Sequence, residues 1–475
     1  MVVRVMSGPV NENSAHGLLV LANRAPLSFK RMPDGSLVAR RAAGGLVTTL
    51  GPGVVRAGGL WVGSVTGADE VEAARAGLVD AEGFRMRAVE VSAETYRAYY
   101  DVVANQTLWF LLHGLWDLPR RPRFDRHWAA AWEAFRAVNE RFASEAAASA
   151  ADGAVVLVQD YQLALVPAML AAKRSDLRIV SFTHTPWCAP NELAVLPDQV
   201  ADELMAGMAG ARACGFHSPR WAEAFVECCL SRGVRPPETF VAPAAADVSD
   251  LRAVASSREC QEELGRLEAL VGDRKVLVRV DRMELSKNVV RGFWAFDELL
   301  ENRPDLRGRV VFAAKVYPSR QGVPEYLAYG QEVLSLAAHL NAKWGSAGSA
   351  GSGWKPVLVD PDDNYPAAVA ALRRADVLLV NPVRDGLNLV AKEGPLVNER
   401  DGVLVLSRNA GAWDEMGEHS LGVNPFDVAG TAAQLARAVD MDATERAERS
   451  KGLLAAAESR TPLDWFDDLV TASGG

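Results

Sequence analysis

No stretch of the 475-residue sequence approaches the roughly 18 uninterrupted apolar residues that a membrane helix needs, so no membrane span is expected. Long basic runs are also missing, and the formal net charge is -9. Nucleic-acid binding needs clustered lysine and arginine, so that class is set aside, although local basic pockets for a phosphate stay open. Cysteine is scarce. Cys188, Cys214, Cys228, Cys229 and Cys260 are odd in number and form no CxxC pair. That pattern excludes a disulfide framework and the common zinc motifs, and it fits reduced thiols in a cytoplasmic protein. The opening MVVRVMSGPVNENSAHG has no apolar signal-peptide core, and residues 1–16 read as a disordered tail. No solenoid-type repeat is present.

What is there is apolar material in short blocks. The chain is 49% hydrophobic and too long for one ordinary domain, so two sizeable cores are expected. Short apolar runs fall at 17–24, 59–64, 107–113, 154–160, 178–184 and 213–218, and again at 275–281, 309–316, 355–360, 375–382 and 402–407. Several are apolar on both faces, as strands of a helix-covered parallel sheet should be. Helical patterns such as HWAAAWEAFRAVNERFASEAAA (127–148) and YPAAVAALRRA (365–375) lie between them. The alternation predicts an α/β protein with two doubly wound, Rossmann-like domains facing a cleft. We place the first at 17–245 and the second at 246–450. A helical segment over 451–475 either caps the second domain or crosses back to the first. The small-residue stretch WGSAGSAGSGW (344–354) reads as a flexible loop.

In open α/β sheets ligands bind beyond the carboxyl ends of the strands. Those ends carry charge in both halves. Arg24 closes the first run, with Gly44-Gly45 after a polar loop, and Asp160 and His184 close two later runs. In the second half Arg282 follows a strand with Lys287 five residues on, Arg320 follows the next, and RDGLNLVAKEG (384–394) follows 375–382. Any one of these alone is most simply a surface or core residue. Trp61 and Trp109 are more often core than ligand platforms, and the DxD within DPDD (360–363) is weak as a metal motif. Together they suit a cleft for a phosphorylated ligand.

These segments resemble the trehalose-phosphate synthases, retaining glycosyltransferases of the two-domain GT-B type. The resemblance is carried by NRAPLSF (23–29), AGGLVTTL (43–50), YYDVVANQTLWFLLH (99–113), QDYQLALVPAML (159–170), HTPW (184–187), GFHS (215–218), DRMELSKN (281–288), PSRQGVPEY (318–326), RDGLNLVAKE (384–393) and VNPFD (423–427), in the family's order. It implies transfer of glucose from a nucleotide-glucose to glucose 6-phosphate, with these small molecules as the partners. No cofactor and no metal is implied, and homo-oligomerisation is compatible. It implies that Arg282 and Lys287 grip the donor diphosphate and that Asp385 with Gly386, Leu387, Asn388 and Leu389 holds the sugar and a phosphate. Glu393 would take the ribose hydroxyls, and Gly44-Gly45 would close over the donor. Arg24 and Arg320, with Trp61, Tyr100 and Trp109, would hold the acceptor. Asp160 would bind acceptor hydroxyls and His184 would sit by the donor glucose, so that Asp160, His184, Arg282 and Lys287 form the catalytic set.

Three departures bear on specificity. Arg282-Met283-Glu284-Leu285 replaces the usual arginine–leucine–aspartate–tyrosine run, and Asn288 stands where a glycine normally follows the lysine. Pro395 is expected to kink or interrupt its helix. EGPLVNERD (393–401) is similar to the validoxylamine phosphate synthases, which keeps a pseudo-glycosyltransferase joining a GDP-cyclitol to an aminocyclitol phosphate as an alternative. A non-catalytic regulatory paralogue is a third reading, weighed down by the presence of every ligand above. The carboxylates of VLVDPDDNYP (357–366) favour GDP-glucose over UDP-glucose, because a carboxylate can accept both N1–H and the exocyclic amine of guanine. Asp360, Asp362 or Asp363 would then face the base.

Overall fold

The structure is a computed structural model describing residues 3–4, 15–42, 45–75, 79–81, 83–345 and 354–474. The chain forms two compact units, Met1–Ala244 with Pro462–Gly475, and Ala245–Thr461. Of the tail expected over 1–16, residues 1–2 and 5–14 lie outside the described residues. Val3–Arg4 is a strand paired with Leu37–Arg41, and His16 already belongs to the central strand. Most of the loop expected at 344–354 also lies outside them.

The first unit is built on an eight-stranded sheet. In spatial order its strands are Glu238–Val241, Ala213–Phe216, Arg178–Thr183, Ala150–Gln159, His16–Arg24, Leu60–Val65, Phe84–Glu90 and Val79–Ala81. All neighbours are parallel except the last pair. Leu19, Val20 and Leu21 are all completely buried, which is why this run reads apolar on both faces. The sheet's order reverses between His16–Arg24 and Ala150–Gln159, so a crevice is expected at the carboxyl ends of those two strands.

The second unit holds an all-parallel six-stranded sheet, ordered Val357–Asp360, Val310–Pro318, Lys275–Met283, Val377–Val380, Val403–Ser407 and Leu421–Val423. This is the doubly wound arrangement, with its switch point between Lys275–Met283 and Val377–Val380. The last helix of the chain, Pro462–Thr471, returns to the first unit. There Trp465 is fully buried against Phe182, and Phe466 closes over Gly53, where a Cβ would lie 2.3 Å from its ring. The segment expected as one piece over 451–475 is therefore split, because helix Ala443–Glu458 belongs to the second unit.

Two expectations fail. The run 107–113, read as a strand, is helical. Arg97–Leu108 is a π-type helix, continued by the α-helix Trp109–His113. Every residue of WFLLH is buried, and an apolar run that is buried all round carries no period that separates strand from helix. Of the expected kink or interruption at Pro395, the interruption does not occur, since the helix runs Val390–Val397 through the proline. The proline lies in the last turn, where only one intrahelical bond is forgone.

Candidate active site

The second unit's candidate residues gather at its switch point. Strand Lys275–Met283 delivers Arg282, and a single 3₁₀ turn, Leu285–Lys287, delivers Lys287. Lys287 Nζ lies 2.6 Å from Asp385 Oδ2. Burial opposes the ammonium, but Asp385 and Asp281 outweigh it and hold the Lys287 pKa above its usual value. Beneath it, the fully buried Arg279 donates to the Lys287 carbonyl at 2.7 Å, to Asn381 at 2.8 Å and to Asp281 at 2.9 Å. The lysine is thus charged, and its backbone is fixed from below.

Asn288 explains a departure noted in the sequence. Its φ is 61°, the left-handed region that glycine enters freely and asparagine tolerates best among the rest. Its Nδ2 donates to the carbonyls of Asn381 and Pro425, at 2.9 and 2.7 Å. The asparagine keeps the turn a glycine would make and adds two buried hydrogen bonds.

Glu284 was not singled out from the sequence. It is fully buried, and its Oε1 accepts from Arg320 at 2.8 Å, Ser319 at 2.9 Å and Arg282 at 3.0 Å. Burial pushes its carboxyl up, yet the neighbouring Arg282 and Arg320 guanidinium groups hold it down at about 2. Arg320 also donates to the Tyr326 hydroxyl at 3.2 Å. One carboxylate therefore fixes two arginines expected on different substrates.

The segment 384–389 precedes the helix rather than belonging to it. Asp385 takes a hydrogen bond from Asn388 at 3.2 Å, and Asn388 has φ 77°. The backbone of Gly386–Leu387 is pressed by a neighbouring turn. Gly411 N donates to the Asp385 carbonyl and Ala412 N to that of Leu387, while a Cβ on Gly411 would sit 1.9 Å from the Gly386 oxygen. Leu387 is buried and Leu389 half-buried at the helix start. Lys392 points into the unit as a structural ion pair, 2.7 Å from Glu415. Glu393 is half-buried, and desolvation raises its carboxyl to about 7. Of the three carboxylates expected near a base, Asp360 is bound to Lys315 at 2.7 Å, whereas Asp362 and Asp363 are exposed.

In the first unit Arg24 stands at the end of the central strand. Trp61, expected at the acceptor, is completely buried and offers no ring face to a ligand. Its indole N–H donates to the Arg24 carbonyl at 3.1 Å, so it supports that strand end. Tyr96 stacks on Tyr100 at 5.1 Å and accepts from the Asn23 side chain at 3.1 Å, which sets Tyr100 beside the same strand end. Trp109 is buried and stacks on His113 at 3.9 Å. Gly45 opens the helix Gly45–Arg56, and Gly44 lies outside the described residues.

Asp160 has φ 72°, and its Oδ1 accepts from the His184 backbone N–H at 3.1 Å, so these two strand-end residues are locked together. Burial holds the His184 ring below its usual pKa, against the pull of Asp160. His217 and Gln159, which the sequence did not flag, complete the group. Among the described residues no cluster of three His, Cys, Asp or Glu side chains could hold a metal ion, and no helix is long and apolar enough to cross a membrane.

Each α/β unit thus gathers charged residues at its switch point, where open sheets bind ligands, and comparison with known proteins identifies the class. Residues 16–473 match glycosyltransferase family 20, and the chain belongs to that family. It is 32% identical to a trehalose-6-phosphate synthase of Mycolicibacterium smegmatis, over 98% of this chain and 95% of the relative. It is 34% identical to one from a Mycobacterium species, covering 92% and 91%. Among solved structures, the Escherichia coli protein bound with UDP-2-fluoro glucose aligns with a TM-score of 0.83 at 26% identity, over 96% of this chain and 98% of that one. A UDP-forming α,α-trehalose-phosphate synthase of Burkholderia xenovorans in complex with glucose 6-phosphate aligns at 0.82 and 26%, covering 96% and 100%. The fold is that of these GT-B enzymes.

Proposed function

We propose that this chain transfers glucose from a nucleoside-diphosphate glucose to glucose 6-phosphate, with retention, giving trehalose 6-phosphate. The observation that carries the reading is the Lys287–Asp385 pair at 2.6 Å, at the switch point that also presents Arg282. A charged lysine and a planar guanidinium suit a leaving diphosphate, whose negative charge grows as the glycosidic bond breaks. Asp385 and the Gly386–Leu389 backbone take sugar hydroxyls and a phosphate. Arg24, with Tyr100 and Trp109 of the same unit, holds the acceptor phosphate, and Asp160 takes acceptor hydroxyls. An α-linked donor and an α,α-linked product require retention, and no carboxylate is placed as a covalent nucleophile in this reading. The acceptor hydroxyl attacks the face the diphosphate leaves, and the leaving oxygen takes its proton. The protein contributes orientation and fixed charge.

GDP-glucose is the donor this reading favours, supported by Asp362 and Asp363. Asp360, spent on Lys315, adds nothing to that support. The UDP-bound and UDP-forming relatives support the competing donor. The test is a matrix of UDP-, GDP- and ADP-glucose against glucose 6-phosphate and an aminocyclitol phosphate. Trehalose 6-phosphate formation is expected, and its absence from every pairing with glucose 6-phosphate overturns the activity. A kcat/KM that favours UDP-glucose sinks the base assignment alone.

A further inference from the structure

The two imidazoles of the first unit form a relay whose direction follows from one fact: a backbone N–H can only donate. The Ala244 N–H lies 3.3 Å from His217 Nδ1, so that nitrogen accepts and the His217 proton sits on Nε2. His217 Nε2 is 3.2 Å from His184 Nδ1, which must accept in turn. The His184 proton therefore sits on Nε2, 3.0 Å from Gln159 Oε1, and the Gln159 amide is oriented to accept it. Both rings are neutral in this arrangement. Protonating His184 would put two N–H groups against each other along the 3.2 Å contact.

The surroundings agree. His184 is flanked by Phe182 at 5.1 Å and Trp465 at 5.6 Å, and His217 lies 4.9 Å from Phe182. Burial disfavours the charged ring. The facing carboxylate, Asp160, directs Oδ1 at the His184 backbone and not at the ring. The relay ends at Gln159, whose own Nε2 is buried with no hydrogen-bond partner among the described residues. Among the described residues no further group there carries a proton onward.

We infer that His217 is a positioning residue for the transfer reaction, holding His184 as the neutral Nε2–H tautomer. His184 then meets a sugar hydroxyl only as a hydrogen-bond donor, switching its Nε2–H from Gln159 to the ligand, and it neither takes nor gives up a proton during turnover. The kinetic half of this inference rests on the proposed transferase activity; the tautomer does not.

The test is long-range ¹H–¹⁵N NMR of the full chain at pH 7, with the His184 ring assigned by its disappearance in His184→Gln. The unsubstituted protein should show the neutral Nε2–H pattern. In His217→Phe the partner of Nδ1 is lost, and the pattern should move toward a tautomer mixture or imidazolium. His217→Gln carries an amide oxygen for the Ala244 N–H and an amide N–H for His184, so the pattern should return. Loss of one orienting hydrogen bond should lower kcat/KM for the nucleotide-glucose about tenfold in His217→Phe, with His217→Gln close to the unsubstituted protein. An Nδ1–H or charged His184 in the unsubstituted protein overturns the inference, as does a pattern unchanged in His217→Phe. If the phenylalanine variant does not fold, the unsubstituted protein and the glutamine variant decide. Absent turnover with the expected tautomer intact counts against the proposed activity and leaves the relay standing.

Discussion

The buried Glu284 and the half-buried Glu393 carry carboxyls shifted in opposite directions, and the difference is a matter of neighbours. Glu284 is held near 2 by Arg282 and Arg320, although burial alone would raise it. Its folded pKa lies below the unfolded one, so its stabilisation is complete above about pH 4.5 and is lost as pH falls toward 2. Glu284→Gln should cost about 3 kcal/mol at neutral pH, since it leaves two guanidinium groups without their counter-charge. Denaturant midpoints of the two proteins should differ fully at pH 7 and converge toward pH 2–3; a gap that does not close would show that the loss is not electrostatic. If Arg282 grips the donor diphosphate as proposed, the same substitution should also raise KM for the nucleotide-glucose, because that arginine loses its anchor. Glu393 has no such partner, and desolvation raises it to about 7. Its folded pKa lies above the unfolded one, so it keeps a proton that the unfolded chain has released. The stability it contributes is full below about pH 4.5 and is lost as pH rises through 7. Glu393→Gln should therefore gain on the unsubstituted protein between pH 5 and 7 and hold a constant lead above pH 8. A lead that is already constant at pH 5 would argue against a raised carboxyl.

At the scale of elements, the turn from strand Lys275–Met283 into helix Val289–Asn302 depends on Asn288. Asn288→Gly keeps the left-handed backbone but abandons the Asn381 and Pro425 carbonyls, at about 1–3 kcal/mol. Asn288→Ala loses the same bonds and also strains φ 61°, adding about 1 kcal/mol. Urea midpoints should therefore rank asparagine, glycine, alanine; an alanine variant as stable as the glycine one would refute the backbone part. How much of this was legible in the sequence differs by element. Central strands such as His16–Arg24 and Lys275–Met283 announced themselves through short, mostly apolar runs, and their charged ends drew attention to Arg24, Arg282 and Lys287. The hairpin Leu27–Arg31 and Leu37–Arg41 did not, because its faces are mixed. The helix at 107–113 misled because complete burial erases the period. Glu284, Gln159 and His217 escaped because their roles lie in long-range partners such as Arg320 and Ala244. Glu284 was visible only as a departure from the family's aspartate.

At the scale of the molecule, the last helix makes the first unit discontinuous in sequence. Pro462–Thr471 arrives after the whole second unit and closes the core with Trp465, which is fully buried against Phe182 and beside both histidines of the relay. The core of that unit therefore includes a segment that follows the second unit in sequence. Trp465→Ala removes one of the largest buried side chains and should cost the first unit about 3–5 kcal/mol. Trp465→Phe should cost less, because it keeps a ring against Phe182 and the imidazoles. With two units, unfolding need not be one transition. Calorimetry of the unsubstituted and variant chains should show the loss in only one of two steps. A uniform shift of every step, or a shift equal for alanine and phenylalanine, would contradict a local role. Because Trp465 flanks His184, the alanine variant should also lose turnover under conditions where it is still folded. The phenylalanine variant should retain most of it. That comparison separates support of the core from support of the site, since a helix that only closed the core would leave the activity of the folded alanine variant unchanged.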